Sequence, residues 1–503
     1  MLRRFVSLRS LLVLTTFACL LLSFTRIADE VSFSGPLHRP TTGLEEEPLF
    51  AIWKVTQHQP VYVDPFKIPY AESIYNWLFY ASYGAVGTFF TTGLGLDCQW
   101  LPTITRLLTL LLAATCSFAF WYLAKEARFW PRHWRSLEKV CLATIAIWNP
   151  LTGLFVFSAR PDMAALFFEL LGLALFLRYV RTGTRSLLVL STFVLFCAWS
   201  FKQTSVFVLA GVLLWLALSK RFNDGAVVGL VSGALYAVVF LVGGAFYSYA
   251  MLSSQNTCEF RVSHAVSNLI RALQRSSFLL LAIVAWPIAC FSRRSEWRNQ
   301  ARSLLGVVLL VCFLCYTAIS MKRGAGANYF ITPSVLAMLW LIGSWDAIAN
   351  PRSSPILNGI IAAAFSLEFL EAGLLFAAHL RVNHAPAEQQ RHRNLAHKLD
   401  SLEAPILVDE RFDNLPWIQR KPPHFVYSFA YSDNRLAGKG FESGGLGGLI
   451  RNHYFKTVVL HNEPRIQTSF DEGNLDDYER IETSDGYDIY VLAKPRDSLG
   501  QDK

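Results

Sequence analysis

Charged side chains are scarce in this chain. Asp, Glu, Lys and Arg make up only 17% of its 503 residues, whereas a soluble domain carries about 25%. Hydrophobic residues reach 53%, and several apolar runs approach the roughly 20 residues that span a bilayer. The composition excludes an ordinary soluble protein and predicts a polytopic α-helical membrane protein.

Signals of other protein classes are missing as well. Cys312 and Cys315 have the spacing of a zinc pair, but they lie in an apolar run with no second pair nearby. No Asn-x-Ser/Thr sequon falls in a loop, so nothing indicates eukaryotic glycosylation. The net charge of +9 comes from short basic clusters between apolar runs, not from a basic stripe. We therefore expect no nucleic-acid partner.

About eleven apolar runs are predicted to cross the membrane. They lie near residues 10–24, 101–124, 140–158, 163–179, 186–200, 204–219, 225–248, 277–291, 303–320, 329–345 and 356–380. The basic clusters Arg178/Arg181/Arg185 and Lys220/Arg221 fall on one side, which the positive-inside rule makes cytoplasmic. The first loop and the C-terminal end are then non-cytoplasmic.

Residues 25–92 form the predicted first outer loop within a transmembrane domain of residues 1–380. The aromatic run Tyr70–Thr92 is interpreted as an interfacial helix and not as a span. If it crossed the membrane, Gly93–Trp100 would be cytoplasmic, yet that stretch has no Lys or Arg.

Residues 381–503 are predicted to form a small soluble α/β domain, because polar residues become common there. Four short apolar runs indicate its strands. They are Pro405–Val408, Phe425–Phe429, Thr457–Leu460 and Tyr487–Ala493.

Three consecutive carboxylates, Glu45, Glu46 and Glu47, precede the apolar-periodic stretch Leu49–Val55 in the first outer loop. Acidic residues in the first turn of a helix complement its dipole, which accounts for them structurally. The functional alternative is a carboxylate near the membrane surface that accepts a proton from a hydroxyl.

Polar residues also recur at the predicted outer edges of spans. Arg160-Pro161-Asp162 begins one span, where Asp162 can cap a helix or where the pair can bind a substrate. Lys202-Gln203 and the Lys322–Phe330 loop place cations where lysine is disfavoured, and a lipid phosphate is one reason for them. Glu169, Glu368 and Glu371 lie inside spans and receive no role.

These pieces in this order resemble the GT-C superfamily of polyprenol-dependent glycosyltransferases. The similarity runs over residues 1–380 and rests on the acidic loop, "PVYVDP", "RPD", "KQ" and "GAGANYF". Within the superfamily, the nearest group is similar to bacterial protein O-mannosyltransferases and lipid A aminoarabinose transferases.

The resemblance implies an inverting transfer of a sugar from a polyprenyl phosphate to an acceptor hydroxyl. It places the general base at Glu45 or Glu46, with Glu45 favoured by its distance from Pro60–Tyr62 and Glu47 still open. The other implied roles follow from charge and hydrogen bonding. The donor phosphate would meet Lys202, Arg323 and Arg160, and the sugar would meet Asp162, Gln203, Asn328 and Tyr329.

The implied setting is a bacterial inner membrane, with a glycan, lipid or protein as the acceptor. We expect no tightly bound cofactor and no need for a metal, because no set of carboxylates beyond the glutamate run could hold one. Two alternatives stay open: a transporter or flippase of lipid-linked sugars, and a non-catalytic membrane subunit.

Overall fold

The chain folds into a helix bundle with a small sheet at one end. The computed structural model describes residues 8–39, 43–130, 134–253, 259–292, 300–348, 354–381, 385–408, 416–419, 428–461, 475–484 and 486–493. The bundle helices and the helices between them are α1 Leu8–Glu30, α2 Glu46–Thr56, α3 Trp77–Thr88, α4 Leu101–Glu126, α5 Ser136–Ile147, α6 Asp162–Thr182, α7 Arg185–Phe201, α8 Val206–Leu218, α9 Phe222–Ser248, α10 Val262–Arg275, α11 Ser277–Ser292, α12 Gln300–Ile319, α13 Ile331–Ile348 and α14 Ser354–Arg381. The C-terminal helices are α15 Ala385–Ser401, α16 Pro416–Gln419, α17 Ser428–Leu436 and α18 Gly445–Arg451.

The predicted membrane character is confirmed, but the count of eleven spans is not. Within the described ranges, five helices are long and apolar enough to cross a bilayer. They are Leu8–Glu30, Cys98–Glu126, Asp162–Thr182, Phe222–Ser253 and Ile361–Arg381. A sixth arises if α10 and the start of α11, bent by 104° at Ser276, count as one broken span. Four shorter apolar helices lie in α7, α8, α12 and α13.

The largest departure from the predicted spans is at residues 140–158. Helix α5 ends at Ile147, and the chain continues through turns to a short 3₁₀ segment, Gly153–Val156. The residue before a proline avoids the helical region, so Asn149-Pro150 ends the helix. The side-chain oxygen of Asn149 then accepts the backbone N–H of Thr152 at 3.0 Å and stabilises the turn.

Close approach between helices depends on small residues. A Cβ placed on Gly211 of α8 would lie 2.8 Å from the Cα of Val308 on α12. Packing of this kind drives helix association where the surrounding lipid is as apolar as the side chains. The main hydrophobic core draws its side chains from these two helices and from α4, α5, α6 and α13.

The first loop contains a two-stranded ribbon, β1 His38–Arg39 with β2 Gly43–Leu44, followed by α2 and α3. Helix α3 starts where Asn76 caps the backbone N–H of Trp77 at 2.9 Å. It continues directly into a π-helical turn, Phe89–Gly93, and the whole helical stretch extends about 25 Å at roughly 1.5 Å per residue, short of a bilayer core of about 30 Å. Its interfacial position stays a prediction.

The C-terminal part carries a four-stranded mixed sheet in the order β3-β4-β6-β5. Its strands are β3 Ile406–Val408, β4 Thr457–His461, β5 Tyr478–Ser484 and β6 Tyr487–Leu492. Strand β3 runs parallel to β4, and the other neighbours are antiparallel. Three strands lie where the sequence predicts them.

The fourth predicted strand, Phe425–Phe429, is wrong where it can be compared. Residues 425–427 lie outside the described residues, and Ser428 and Phe429 begin helix α17. The missed strand is β5, an edge strand whose side chains are mostly exposed and polar. Its signal was the Asp485-Gly486 dipeptide before the apolar run of β6, which is typical of a hairpin.

The sheet packs directly onto the first loop. Leu49 and Phe50 of α2 share one hydrophobic cluster with Ile406, Val459 and Ile489 of the sheet. Hydrogen bonds add to this contact: the backbone N–H of Glu442 donates to the carbonyl of Phe66 at 2.9 Å, and the Tyr70 hydroxyl donates to the carbonyl of Glu442 at 2.7 Å. The division at residue 380 stays a prediction.

Candidate functional site

Glu45 lies at the centre of a buried ion pair. Its carboxylate meets the guanidinium of Arg106 on α4 at 2.6 Å, and both side chains are 0% exposed. It also accepts the backbone N–H groups of Leu37 at 2.9 Å and Ala159 at 2.6 Å. A second contact from Arg106, between its Nε and Oε1 of Glu45, is 3.5 Å long. Two carboxylate oxygens hold about four lone-pair sites, so these four contacts occupy them.

Arg106 gathers the first loop around it. Beyond Glu45, it donates to the backbone carbonyls of Glu30, Phe33 and Gly35, at 3.2 Å and 2.6 Å for the first and last of these. Sequence reasoning missed this residue, although a lone arginine within the apolar run 101–124 is itself a signal of function or pairing.

Glu47 is buried on the first turn of α2, one residue after the equally buried Glu46. The hydroxyl of Tyr80 donates to its Oε1 at 2.6 Å. Its Oε2 has no hydrogen-bond partner among the described residues. The Ile74 backbone and the cations Arg160 and Lys54 lower the pKa of the carboxyl. Burial raises the pKa of Glu47 to about 8, and these partners only partly offset the increase.

Asp162 collects three of the residues that the sequence predicts to bind donor and sugar. Its Oδ1 accepts the ammonium of Lys202 at 2.7 Å and the side-chain amide of Asn328 at 3.0 Å. Its Oδ2 faces Nε of Arg160 at 3.3 Å. Residues from the starts of α6 and α13 and from the α7–α8 break therefore meet at one point of the bundle.

Aromatic rings line this cluster. The guanidinium of Arg160 lies 5.3 Å from the ring centre of Tyr75, and the ammonium of Lys202 lies 5.3 Å from that of Tyr329. Such cation–π contacts hold the positive charges in place without neutralising them. Tyr75 and Tyr80 were not predicted from the sequence, because aromatic residues in this stretch are too common to single out two of them.

Two predicted residues make contacts elsewhere. The Gln203 amide donates to the backbone carbonyl of Ile74 at 2.6 Å and so braces the first loop. Arg323 pairs with Asp433 of α17 at 3.1 Å, and its side chain is 34% exposed. This ion pair joins the Arg323 side chain to the C-terminal part of the chain.

This architecture, a bundle of apolar helices with a long first loop and a C-terminal sheet packed on that loop, matches the folds of solved structures. ArnT from Cupriavidus metallidurans bound to undecaprenyl phosphate is 13% identical, with 97% of this chain and 100% of that chain covered and a TM-score of 0.58. No protein-family model and no curated protein matches the sequence.

The fold also matches an archaeal enzyme. The Archaeoglobus fulgidus oligosaccharyltransferase in complex with zinc and sulfate is 13% identical over 96% of this chain and 73% of that chain, with a TM-score of 0.54. AglB from the same organism, in complex with an inhibitory peptide and a dolichol-phosphate, is 12% identical over 98% and 75%, with a TM-score of 0.53. The predicted resemblance to GT-C proteins is therefore confirmed for the fold.

The side chains of this cluster do not suit a divalent metal as ligands. No three His, Cys, Asp or Glu side chains come together in the part of the chain that the structure describes. The carboxylates of Glu45 and Asp162 are already paired with the fixed cations Arg106 and Lys202. A divalent metal would have to displace these cations, so the residues present do not fit one.

Proposed function

We propose that the chain is a membrane glycosyltransferase that moves a hexosyl or pentosyl group from a polyprenyl phosphate to an acceptor hydroxyl. The observation that carries the proposal is the convergence of Arg160, Lys202 and Asn328 on Asp162 beside the buried glutamates of the first loop. Together, these groups supply an anion site and a base within one small region. The acceptor is a glycan, a lipid or a protein.

The cations are suited to the leaving group. When the bond between the anomeric carbon and the phosphate oxygen breaks, negative charge develops on the lipid phosphate. Lys202 and Arg160 stabilise that charge, which fixed cations do with little reorganisation. Asp162 holds both cations in position before the donor binds, and Asn328 stays within hydrogen-bond reach of the sugar or phosphate.

The base belongs to the glutamate run, and the contacts distinguish its members. The carboxylate of Glu45 has its lone-pair positions engaged by Arg106, Leu37 and Ala159, which leaves no position for an acceptor hydroxyl. Glu47 has a raised pKa near the pH at which a general base operates best. We therefore assign the base to Glu47, with Glu46 as the alternative, and give Glu45 a structural role.

The reaction balances without a cofactor. The acceptor hydroxyl loses its proton to the Glu47 carboxylate while its oxygen bonds to the anomeric carbon from the face opposite the phosphate. The configuration inverts, and the polyprenyl phosphate leaves with its lipid tail in the membrane. We place the cluster and the C-terminal sheet on the non-cytoplasmic face of a bacterial inner membrane.

The transporter and subunit alternatives are less well supported. The solved proteins of this fold that cover nearly the whole chain include an oligosaccharyltransferase, and the match to ArnT covers 97% of this chain and 100% of that one. A flippase would need the basic cluster, but it would not need a carboxylate placed to accept a proton from a hydroxyl.

Replacing Lys202 with methionine tests the donor site. The substitution shortens the unbranched side chain by one atom and removes the charge, so transfer of radiolabelled sugar from polyprenyl-phosphate donors in membranes should fall about 100-fold or more. Lys220→Met, at the exposed end of α8, is the matched control and should keep wild-type activity. Equal activity of the two variants would remove the proposed phosphate site.

A further inference from the structure

Tyr75 is held in place through almost every group it has. Its backbone N–H donates to the Tyr80 hydroxyl at 2.9 Å, and its carbonyl accepts the Tyr62 hydroxyl at 2.8 Å. Its ring packs edge-on against Phe79 with 5.5 Å between ring centres. The side chain is therefore fixed in a single orientation before any ligand arrives.

The one group left over is the Tyr75 hydroxyl. The residue is only 5% exposed, and its hydroxyl has no hydrogen-bond partner among the described residues. A buried hydroxyl without a partner destabilises the folded protein, because it gives up its bonds to water. Folded proteins rarely keep such a group, and one that persists calls for an explanation outside the protein's own stability.

The surroundings of the hydroxyl indicate what it binds. The guanidinium of Arg160 lies over the Tyr75 ring, and Asp162, Glu47 and Tyr329 interact with the phenol electrostatically. These are members of the proposed site. Burial raises the pKa of Tyr75, so the phenol stays protonated and can act as a hydrogen-bond donor at any physiological pH.

We propose that the Tyr75 hydroxyl is a preorganised hydrogen-bond donor to the phosphate of the polyprenyl-phosphate substrate. This inference rests on the proposed function and adds a residue to its donor site. A phosphate oxygen is the acceptor that suits a neutral phenol beside Arg160 and Lys202. This hydrogen bond forms only when the polyprenyl-phosphate substrate binds. Removing the hydroxyl therefore weakens substrate binding and does not destabilise the fold.

The test compares two variants that each remove one buried phenolic hydroxyl. Tyr75→Phe removes a hydroxyl with no partner, whereas Tyr83→Phe removes one that is bonded to the Thr109 hydroxyl at 2.9 Å. In thermal unfolding of the full-length protein in detergent, we expect Tyr75→Phe to be as stable as wild type or more so. Tyr83→Phe should be less stable.

Binding is measured with undecaprenyl phosphate, using undecaprenol as the probe that lacks the phosphate. A hydrogen bond to a charged group corresponds to a change of about 10- to 100-fold in the dissociation constant. Tyr75→Phe should weaken binding of undecaprenyl phosphate by that factor, whereas Tyr83→Phe should not. Binding of undecaprenol should not change in either variant.

The outcomes distinguish the role of the Tyr75 hydroxyl from the proposed function of the protein. If wild type binds undecaprenyl phosphate and Tyr75→Phe binds it equally well, the role of Tyr75 is overturned and the proposed function stands. If Tyr75→Phe is destabilised as much as Tyr83→Phe, the hydroxyl is structural and the inference also fails. If wild type prefers neither undecaprenyl phosphate nor undecaprenol, the donor class itself is overturned.

Discussion

Replacing Glu47 with glutamine is expected to lower the rate of sugar transfer at least 100-fold, because a general base contributes about 10²- to 10⁴-fold to a rate. Glutamine keeps the size of the side chain and can still accept the Tyr80 hydroxyl, so the fold should survive. The measurement is initial-rate transfer of radiolabelled sugar at saturating donor. Glu72→Gln, which alters another buried glutamate of the same loop, is the matched control and should stay within a few-fold of wild type.

The pH dependence provides an independent check on the same residue. Glu47 must be deprotonated to act as a base, and burial raises its pKa to about 8. The rate of wild-type transfer should therefore rise with pH, reach half its maximum near pH 8 and level off above that value. A rate that is flat between pH 6 and about 9 would argue against Glu47 as the base.

The companion variants identify the base if Glu47 is not it. Loss of transfer in Glu46→Gln alone would move the role to Glu46. Loss in Glu45→Gln, with folding and binding of undecaprenyl phosphate intact, would restore the assignment that the sequence favours.

Replacing Arg106 with methionine is expected to destabilise the protein by about 3–5 kcal/mol, because it leaves the Glu45 carboxylate buried without its counter-charge. It also removes the donors to the carbonyls of Glu30, Phe33 and Gly35. The measurement is the fraction of detergent-solubilised protein that remains monodisperse after heating. Most of the variant should be lost at temperatures that wild type survives.

Two controls isolate the buried charge as the cause. Arg181 and Glu126 form an ion pair with the same separation of 2.6 Å, but the arginine side chain is 39% exposed. Arg181→Met should therefore cost no more than about 1 kcal/mol. The double variant Glu45→Gln/Arg106→Met should be more stable than Arg106→Met alone, since glutamine is uncharged and can still accept the N–H of Ala159. Equal losses in the exposed and buried variants would contradict this account.

Local sequence determined where the helices lie. Nearly every apolar run predicted to cross the membrane contains a helix, because apolar side chains in lipid require a backbone that satisfies its own hydrogen bonds. The exception is the run at 140–158, where the residue before Pro150 avoids the helical conformation and ends the helix, although the run remains apolar.

Some residues of the candidate site could be predicted from the sequence. Arg160, Asp162, Lys202 and Asn328 stood out because they are polar residues at the ends of apolar runs, and the structure brings them together. Their pairing could not be predicted, because Asp162 and Asn328 are far apart in the chain and only helix packing makes them neighbours.

What separates Glu45 from Glu47 is a matter of tertiary structure alone. In the sequence, the two carboxylates are nearly equivalent members of one acidic run. Their positions on the chain differ by only two residues, but one faces Arg106 on α4 and the other faces Tyr80 on α3. The buried ion pair occupies the carboxylate of Glu45, whereas burial raises the pKa of Glu47. The sequence alone determined that the first loop is acidic. The packing of α3 and α4 decided which carboxylate is enclosed by an arginine and which is buried beside a phenol, with one oxygen that has no hydrogen-bond partner among the described residues.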